Sequence, residues 1–362
     1  MLYVTYEDSV VHAIGIRKKM QAQYRVFKKA FGEAYYTLYR GQMMHLYREN
    51  ILLEKELAFT KGECNTVIKD WIERYNISKV YVRHYSADRQ ELLFYQYLNE
   101  KDIRVAVEFP TVFPAYQGII DSKVVTAEDT YYKNRMHEYV RCCTAYQPME
   151  KVYGIPCIPL VNGVDIDEQP QKKSRKADGR IVLLVVATYT KWHGHERVIE
   201  GMHRYYADGG TREIIFNIVG SGGQLNYYES LVEEYGLQGH VNFCGVLSGE
   251  KLDEIYDASD IAIGDLGIYR VGLKSGAPIK EREYCARGIP FIYGHDDMSF
   301  GKDNYYARQV SNDETPIDMQ MVIDFYNEMY DGREFAEDMR QYALLNLTWN
   351  KILQPVIDYY LC

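Results

Sequence analysis

The sequence predicts an α/β protein built from two Rossmann-like domains. Short apolar runs alternate with stretches of helical periodicity, a pattern typical of parallel strands joined by crossover helices. The chain has 362 residues, too many for one average hydrophobic core, and its apolar fraction of 47% is enough to fill two cores. We therefore predict a first Rossmann-like domain over residues 1–160, a second over 161–335, and a final helical segment over 336–362.

Runs rich in β-branched and aromatic residues predict the strands of the first domain. In chain order they are Leu2-Tyr-Val-Thr-Tyr6, Lys79–Arg83, Arg104–Glu108 and Lys123–Thr126. The neighbouring Cys142 and Cys143 lie in a stretch that we predict to be helical. We expect them to be two buried small residues rather than partners in a bridge.

A basic amphipathic helix is predicted after the first strand. Apolar residues recur at helical spacing on one side and basic residues lie on the other: Met20, Tyr24, Phe27 and Phe31 against Arg17, Lys18, Arg25, Lys28 and Lys29. Such a helix suits an anionic membrane or a lipid diphosphate acceptor. It equally suits the surface of a Rossmann-like domain, with its basic side in water, and the sequence leaves both interpretations open.

The second domain contains the most apolar run of the chain, Ile181-Val-Leu-Leu-Val-Val-Ala187. Its length fits a fully buried central strand and is too short to span a bilayer. The runs Ile214–Val219 and Asp260–Gly264 continue the same predicted sheet. The polar stretch over 167–179 is the best candidate for a linker before this domain.

A loop that leads into a helix predicts an anion site in the second domain. The loop and helix begin with Ser275-Gly-Ala-Pro-Ile-Lys280 and end at Gly288 and Pro290, before the buried strand Phe291-Ile-Tyr293. The backbone amides of residues 276–280 and the helix dipole favour a phosphate, and Lys280 adds a full positive charge. Glu283, one turn further along, is placed to bind a pair of sugar hydroxyls.

These residues resemble a known motif. Glu283, followed by Gly288 and Pro290, is similar to the E-A-M-A-x-G-x-P end of the E-x7-E motif in retaining GT-B glycosyltransferases of the family-four (group 1) type. Further pieces of the family pattern follow in order and spacing over roughly residues 155–300: Val161-Asn-Gly163-Val-Asp165, Gly220-Ser-Gly222, Val241-Asn-Phe-Cys-Gly245 and Leu252–Asp260. The run Glu108-Phe-Pro-Thr-Val-Phe-Pro114 also resembles one found in members that build bacterial polysaccharides.

The resemblance implies a GT-B fold, in which two Rossmann-like domains face each other across a cleft and the C-terminal helix crosses back to the first domain. We expect one final helix over Glu334–Tyr360, with Trp349 near the domain junction. The implied activity is a hexosyltransferase-type transfer, with retention, from a nucleotide-diphosphate sugar to a glycan or lipid-linked acceptor in cell-surface polysaccharide synthesis. It implies no cofactor and no metal.

The resemblance also implies a donor site in the second domain. Glu283 corresponds to the family's ribose ligand, and with Lys280 and Lys191 it forms the predicted catalytic set. The other predicted donor-binding residues lie in three loops: Ser221 and Gly222, then Arg270 and Lys274, then Ser275, Gly276, Ala277, Pro278 and Ile279. Their amides and cations are expected to stabilise the departing diphosphate.

Two departures from the family pattern affect this donor site. Ser275 occupies the place of the first glutamate of the E-x7-E motif. The usual G-R-x-x-x-x-K-G is replaced by Ala187-Thr-Tyr-Thr-Lys191-Trp-His193-Gly194, so Lys191 is the candidate for a displaced phosphate cation. A solvated loop lysine is an almost equal alternative.

Acceptor-side candidates come from the first domain. His84 and Glu108 end two predicted strands, at the carboxyl edge where ligands bind in open α/β sheets. Gly15 follows the first strand, where a substrate can approach the backbone closely. Whether His84 or Glu108 acts as a general base is left open, because a retaining GT-B enzyme needs no dedicated nucleophile.

Composition excludes several other functions. The net charge of −9 argues against general nucleic-acid binding. The seven cysteines show no zinc-ligand spacing, and Asp165-Ile-Asp167 fits a turn better than a metal site. With no apolar leader and no run long enough for a membrane span, we expect a cytoplasmic protein that its basic helix could bring to the inner face of the membrane.

Two alternatives remain at this stage. A GT-B-type nucleotide-sugar epimerase would use the same donor site without an acceptor. A catalytically degenerate partner subunit would have lost its chemistry together with the motif glutamate at position 275.

Overall fold

The computed structural model describes residues 1–6, 14–112, 118–120, 123–125, 127–173, 175, 178–301, 303–332 and 334–362. The chain divides into two compact units: unit 1 comprises residues 1–161 and 349–362, and unit 2 comprises residues 162–348. The first division lies one residue from the boundary expected after residue 160. The expected last segment, 336–362, is shared between the two units.

The helices and strands have the following bounds. The strands are β1 Leu2–Val4, β2 Tyr35–Arg40, β3 Met43–Arg48, β4 Ile51–Leu57, β5 Lys79–Arg83, β6 Arg104–Phe109, β7 Gly118–Ile120, β8 Lys123–Val125, β9 Cys142–Ala145, β10 Lys151–Val152, β11 Ile155–Pro159, β12 Ile181–Thr188, β13 Ile214–Ser221, β14 Val241–Gly245, β15 Ile261–Ile263, β16 Phe291–Tyr293 and β17 Ala307–Gln309. The α-helices are α1 Ile14–Phe31, α2 Lys61–Arg74, α3 Arg89–Glu100, α4 Ala127–Lys133, α5 Glu196–Ala207, α6 Leu225–Glu234, α7 Glu250–Asp257, α8 Ile279–Arg287, α9 Met319–Tyr330, α10 Phe335–Asn346 and α11 Trp349–Leu361.

Unit 1 contains one large mixed sheet, in the order β10-β11-β9-β6-β5-β1-β2-β3-β4. Its centre, from β11 to β2, is parallel, whereas β3, β4 and β10 add antiparallel edges. The predictions for β1, β5 and β6 are confirmed. The fourth predicted strand is different, because β8 pairs with β7 in a separate antiparallel hairpin.

The helix predicted around Cys142 and Cys143 is wrong. Both residues lie in β9, between β6 and β11, where they are buried. A short, nearly uninterrupted apolar run does not distinguish a buried strand from a buried helix, and pairing with two neighbouring strands decides the outcome here. Their expected burial without a bridge is what the structure has, since both are free thiols.

Helix α1 packs its apolar side inside unit 1. Met20, Tyr24 and Phe27 are buried in one core cluster with residues of β1, β5 and α11. Arg17, Lys18 and other basic residues remain exposed on the opposite side. The apolar side of the helix is therefore covered by protein, as in a surface helix of a Rossmann-like unit, and its basic side stays accessible to water or to an anionic partner.

The chain returns to unit 1 after leaving unit 2. One continuous helix over Glu334–Tyr360 was expected, but α10 and α11 are separate. Between them Leu347 accepts a hydrogen bond from the Val164 amide (2.8 Å) and Thr348 pairs with Val164, so the backbone leaves the helical conformation. Trp349, directly after the last residue of unit 2, is buried in the core of unit 1. At the far end of α11, the Tyr360 hydroxyl donates to the Val80 carbonyl oxygen (2.6 Å).

Unit 2 contains a six-stranded sheet in the order β14-β13-β12-β15-β16-β17, in which every neighbouring pair is parallel. The predicted central strand is confirmed as β12, which is buried over most of its length. The chain moves outward from β12 through β13 to β14 and then crosses back to β15 on the other side. In the described part of the chain no helix has both the length and the apolar character that crossing a bilayer requires.

Candidate functional site

The reversal of strand order in unit 2 falls between β12 and β15. In open parallel sheets, ligands bind in the crevice at the carboxyl ends of the strands at such a reversal. Three segments meet there: the turn after β12, the loop after β15, and the first turn of α8. The contacts among His193, Asp265 and Lys280, one residue from each segment, define the candidate site of unit 2.

The amides expected to bind an anion are those of the first turn of α8. Pro278 is the N-cap, so the helix begins at Ile279. The sequence prediction of amides 276–280 is therefore shifted: Pro278 has no N–H, and the Gly276 amide donates to the Asp296 carbonyl oxygen (3.0 Å). The backbone amides of residues 279–281 have no carbonyl acceptor within the helix, because they belong to its first turn. They can therefore donate to an anion at this end of the helix.

The loop before α8 is fixed by its neighbours. Ser275 pairs with Asp296 in a parallel bridge, and the Lys274 carbonyl oxygen accepts from the Asp296 amide (2.9 Å). The Ala277 carbonyl oxygen accepts from the Asn162 amide group (2.6 Å). Lys274 itself is exposed. Together with the Gly276 amide, the predicted donor-binding loop is thus held at the start of α8 by contacts of its backbone at four successive residues, 274–277.

Lys280 contributes its charge beside Asp265. The two form an ion pair in which both side chains are almost buried. Burial by itself would raise the pKa of Asp265, but Lys280 and His193 hold it well below its usual range. The carboxylate therefore stays ionised, and it offsets the Lys280 charge while fixing the ammonium next to the helix N-terminus.

His193 completes this group. Its Nε2 lies 3.5 Å from Asp265 Oδ1, and its Nδ1 accepts from the Thr190 amide (3.0 Å). Because Nδ1 is an acceptor, the proton of the neutral ring is on Nε2 and faces Asp265. Burial, followed by the nearby Lys280, lowers the pKa of His193 to about 4. The ring is consequently neutral at physiological pH.

Sequence reasoning missed His193 and Asp265 as site residues. A usable signal existed for Asp265, which follows the buried strand β15 and so lies at the carboxyl edge of the sheet. For His193 the signal was its place directly before Gly194 in the loop that departs from the family pattern. In both cases the neighbouring strand order, which the sequence does not show, brings the two residues together.

Two other predicted cations, Lys191 and Arg270, form no ion pair with Asp265. Lys191 is exposed, and within the described part of the chain its ammonium makes no ion pair. Arg270 forms ion pairs with Glu196 and Glu314 and donates to the Lys191 carbonyl oxygen (2.8 Å). Its charge is therefore offset by two carboxylates, and its structural effect is to fix the turn that precedes His193.

Ser221 and Gly222 lie at the carboxyl end of β13, beside the end of β12. A Cβ at Gly222 would approach the backbone nitrogen and oxygen of Tyr189 to 2.4 Å, and φ at Gly222 is +147°. Ser221 accepts from the Tyr189 amide (2.8 Å). The glycine is thus required by close backbone packing of two loops at this edge, a reason that needs no ligand.

Glu283 lies one turn beyond Lys280 in α8. It is half-buried, and its Oε1 accepts from the Gln169 amide group (3.4 Å). Tyr256, a residue of α7, is close enough for the Glu283 charge to contribute to its raised pKa, second to burial. Glu283 is therefore directed toward α7 and the segment around Gln169, next to the donor group at the start of the helix.

A buried ionic cluster contacts the loop of the candidate site that contains Asp265. The side chains of Glu281 and Arg282 of α8, and of His295 and Asp297 after β16, are all fully buried, and Arg282 binds the Asp297 carboxylate through both of its terminal nitrogens. Glu281 Oε1 also accepts from the Asp265 amide (3.1 Å). The cluster thereby connects the start of α8 to the loop that contains Asp265.

The charge balance of this cluster favours a proton over a metal ion. Glu281, His295 and Asp297 have ligand atoms within 4.8 Å of one another and could in principle hold a metal ion. Arg282 already contacts both carboxylates. Two carboxylates and one guanidinium leave a single negative charge, which a protonated His295 cancels and a divalent ion would overcompensate. Burial by itself lowers the pKa of His295, but Glu281 and Asp297 raise it to about 10.

This charge balance predicts a pH dependence of stability. The pKa of His295 is about 10 in the folded protein and about 6.5 when unfolded, so its stabilisation is complete below pH 6.5 and is lost as pH rises toward 10. We expect the free energy of unfolding of the parent to fall, relative to a His295→Gln variant, by up to about 1.4 kcal/mol per pH unit in that interval. Denaturant unfolding at pH 7, 8, 9 and 10 measures it. If the free energy of unfolding changes with pH in the same way in the parent and in His295→Gln, His295 is neutral in the folded protein.

Glu108, predicted on the acceptor side, is a structural carboxylate of unit 1. It is fully buried in β6, 3.1 Å from Lys19 Nζ and 2.6 Å from Arg83 Nη1, and it also accepts from Gln23 and Tyr81. Burial by itself would raise the pKa of Glu108, but Lys19 and Arg83 hold it at about 2. A carboxylate so weakly basic and so fully occupied does not fit a general base.

His84 lies at the carboxyl end of β5 and is buried. Its Nδ1 is 3.1 Å from Glu91 Oε1, and its Nε2 has no hydrogen-bond partner in the described part of the chain. Burial lowers the pKa of His84 although Glu91 opposes this shift, so the ring is neutral. Of the acceptor-side candidates, His84 is the one with an unpartnered nitrogen among the described residues, and that nitrogen is buried.

Gly15 and the Asp165-Ile-Asp167 run have simpler surroundings. Gly15 lies exposed in the first turn of α1, and among the described residues no atom lies within 4 Å of the place that a Cβ would take. The residues from 7 to 13 before it are outside the described part of the chain. Asp165 caps a short 3₁₀ turn by accepting from the Asp167 amide (3.3 Å). This capping agrees with the prediction of a turn rather than a metal site.

Comparison with known proteins gives the following findings. Residues 166–298 match the family model of group 1 glycosyl transferases. No curated protein matches the chain in sequence. The segment that matches the family model covers the whole candidate site of unit 2, from the turn after β12 to the cluster residue Asp297.

Several solved structures are similar over nearly the whole chain. A glycosyltransferase from Rickettsia africae has 17% identity and a TM-score of 0.72, covering 99% of this chain and 97% of that one. A sucrose-phosphate synthase from Thermosynechococcus elongatus has 13% identity and a TM-score of 0.64, with 99% and 97% covered. The HepE protein of Anabaena in complex with UDP-glucose has 12% identity and a TM-score of 0.64, with 99% and 98% covered. The chain therefore has the GT-B fold of these proteins.

Proposed function

We propose that the protein is a glycosyltransferase that moves a sugar from a nucleoside-diphosphate sugar to a glycan or lipid-linked acceptor. The observation that supports this most directly is the start of α8, where first-turn amides and Lys280 lie beside Asp265 and His193 at the strand-order reversal of unit 2. Such a group favours a diphosphate. The match of this segment to group 1 glycosyl transferases favours a nucleotide sugar over other diphosphates.

The proposed chemistry is departure of the nucleoside diphosphate with retention at the sugar carbon. Negative charge grows on the diphosphate as the glycosidic bond breaks, and the amides of residues 279–281 with the Lys280 ammonium are placed to stabilise it. No protein nucleophile, cofactor or metal is assigned to this step. Because the similar HepE protein binds UDP-glucose, we propose a uridine nucleotide carrying a hexose as the donor.

Glu283 is proposed to bind the ribose hydroxyls of the donor. We expect Glu283→Ala to weaken nucleotide binding by about 1–3 kcal/mol, the range for losing charge-assisted hydrogen bonds. Calorimetric titration of UDP measures the change. Glu229→Ala, an exposed acidic residue of α6, is the control and should bind like the parent. Equal affinity for the parent and Glu283→Ala would remove Glu283 from the site.

Unit 1 is proposed to bind the acceptor. His84, with an unpartnered nitrogen at the carboxyl end of β5, supports a role in contacting an acceptor hydroxyl. The exposed basic side of α1, with Arg17, Lys18 and Arg25, favours an anionic or lipid-linked acceptor at the cytoplasmic face of the membrane. Polysaccharide synthesis at the cell surface is the process that would supply such an acceptor.

A panel of nucleotide sugars tests the proposed function. Each is incubated with the protein, with and without glycan and lipid-linked acceptors, and the products are separated by mass and by chromatography. We expect release of nucleoside diphosphate together with a glycosylated acceptor. A new epimer of the donor formed without acceptor would instead establish an epimerase. Neither product nor nucleotide binding would indicate a degenerate subunit, in line with Ser275 at the motif position.

A further inference from the structure

The candidate site of unit 2 contains little net positive charge for a ligand that is strongly negative. Lys280 is offset by Asp265, Arg270 is offset by two glutamates, and Lys191 is exposed away from ion-pair partners among the described residues. His193 stands directly before Gly194, where the resembling family pattern has a lysine. A neutral ring therefore occupies the place of a permanent cation.

We infer that His193 takes up a proton from solvent at Nδ1 when the nucleoside diphosphate binds, and that its Nε2–H donates a hydrogen bond to the phosphate. Donor binding would thus be linked to proton uptake by the protein. The inference rests on the proposed function and deepens it, because it names the phosphate-binding cation of that site and makes its charge depend on the ligand.

The surroundings of His193 hold the neutral ring and offer one acceptor to the protonated ring. In the neutral ring, Nδ1 accepts from the Thr190 amide (3.0 Å). Protonation of Nδ1 ends that hydrogen bond, because both N–H groups are then donors, but the Thr190 hydroxyl, 3.0 Å from Nδ1, can accept from Nδ1–H in its place. On the other side, Nε2 is 3.5 Å from Asp265 Oδ1, longer than a good hydrogen bond. That N–H can therefore turn to a ligand oxygen at small cost.

The charges that face His193 come from several elements. Asp265, after β15, favours the protonated ring, whereas burial and Lys280, in α8, oppose it. His195 stacks on His193 at 5.5 Å and is itself neutral, since burial lowers its pKa. The Asp265 amide contacts Glu281, which belongs to the ionic cluster with Arg282, His295 and Asp297. The Lys191 carbonyl oxygen contacts Arg270, which is paired with two glutamates.

A bound diphosphate changes this balance. In a partly buried site, each negative charge about 4 Å from a histidine ring raises the pKa of that ring by about three pH units. A diphosphate in a nucleotide sugar carries two such charges, which is enough to bring His193 from a pKa of about 4 to above neutrality. The attraction between the diphosphate and the ionised ring then offsets the cost of desolvating that ring. Without the ligand this cost is not fully offset, and the ring is neutral.

The experiment is calorimetric titration of UDP-glucose between pH 6 and 8.5, in pairs of buffers with different ionisation enthalpies. UDP-glucose is chosen over UDP because it has no terminal phosphate that titrates near pH 6. The parent should take up about 0.5–1 proton on binding near pH 6.5, and its affinity should fall by up to about tenfold per pH unit above neutrality. His203→Gln, which removes a histidine of α5 that stacks on Tyr235, is the matched control and should behave like the parent.

Two variants separate this role from a merely structural one. His193→Lys should bind without proton uptake, with affinity nearly independent of pH and at least equal to the parent at pH 8.5. His193→Gln should also lose the uptake, and should bind most weakly, relative to the parent, at pH 6. Uptake that is absent in the parent, or unchanged in His193→Gln, would overturn the inference while leaving the proposed function intact. If neither UDP-glucose nor any nucleotide sugar of the panel binds, both fall together.

Discussion

Replacing Arg282 with methionine is expected to lower the free energy of unfolding by about 3–5 kcal/mol, the range for removing one partner of a buried ion pair. Arg282 and Asp297 are both fully buried, and the guanidinium also contacts Glu281. Methionine fills a similar volume but leaves two carboxylates with only His295 as a counter-charge. Denaturant unfolding at pH 7 measures the change, with secondary structure as the probe.

The matched control is Arg308→Met. Arg308 pairs with Glu328 at 2.6 Å, but both side chains are more than one third exposed, so the loss should be within about 1 kcal/mol. If Arg282→Met does not fold, Asp297→Asn provides a milder test because it keeps the shape of the side chain. Equal stabilities for Arg282→Met and Arg308→Met would contradict the cluster as a stabilising element of unit 2.

Removing the Lys280 ammonium should mainly reduce turnover. If the proposed function holds, Lys280→Ala removes a cation from the departing diphosphate, and we expect kcat to fall about 100–1000-fold, comparable to loss of one strong transition-state donor. KM should change less, because the first-turn amides of α8 still bind the ground state. Release of nucleoside diphosphate from the preferred donor, measured over a range of concentrations, gives both constants.

Two comparisons make the Lys280 result interpretable. Lys251→Ala, an exposed lysine of α7, should have the parent's rate. Lys280→Arg keeps the charge beside Asp265 and should recover part of the lost rate, which a purely structural role would not produce. A Lys280→Ala enzyme that turns over within twofold of the parent would place the departing diphosphate elsewhere.

Particular elements show how far sequence reasoning reached. The strands β5 and β12 and the helix α8 were predicted because their apolar periodicity and their Gly and Pro boundaries are local features. The strands β2 to β4 were not predicted, although β2–β3 and β3–β4 are local hairpins with two-residue connections. Cys142 and Cys143 were assigned to a helix. There, pairing of β9 with β6, which is distant in the sequence, decided the conformation, and no local pattern reports that pairing.

The candidate site shows the same division. The sequence predicted the α8 start, with Lys280 and Glu283 as site residues, because a loop leading into a helix and an acidic residue one turn later are adjacent in the chain. It did not identify Asp265 or His193, which meet Lys280 from β15 and β12. Glu108 was predicted as an acceptor residue from its place at a strand end, but the structure surrounds it with Lys19, Arg83, Gln23 and Tyr81.

By itself, the sequence determined the fold class, the existence of the two main sheets and the helix start at which we expect an anion, because each follows from periodicity and from residues within a few positions of one another. Only the tertiary structure decided which charges remain available. Whether a lysine, carboxylate or imidazole is ionised depends on burial and on partners brought within about 4 Å by strand order. Lys280, Arg270 and Glu108 look alike in the sequence as exposed charges, and the fold gives each a different counter-charge and therefore a different capacity to act.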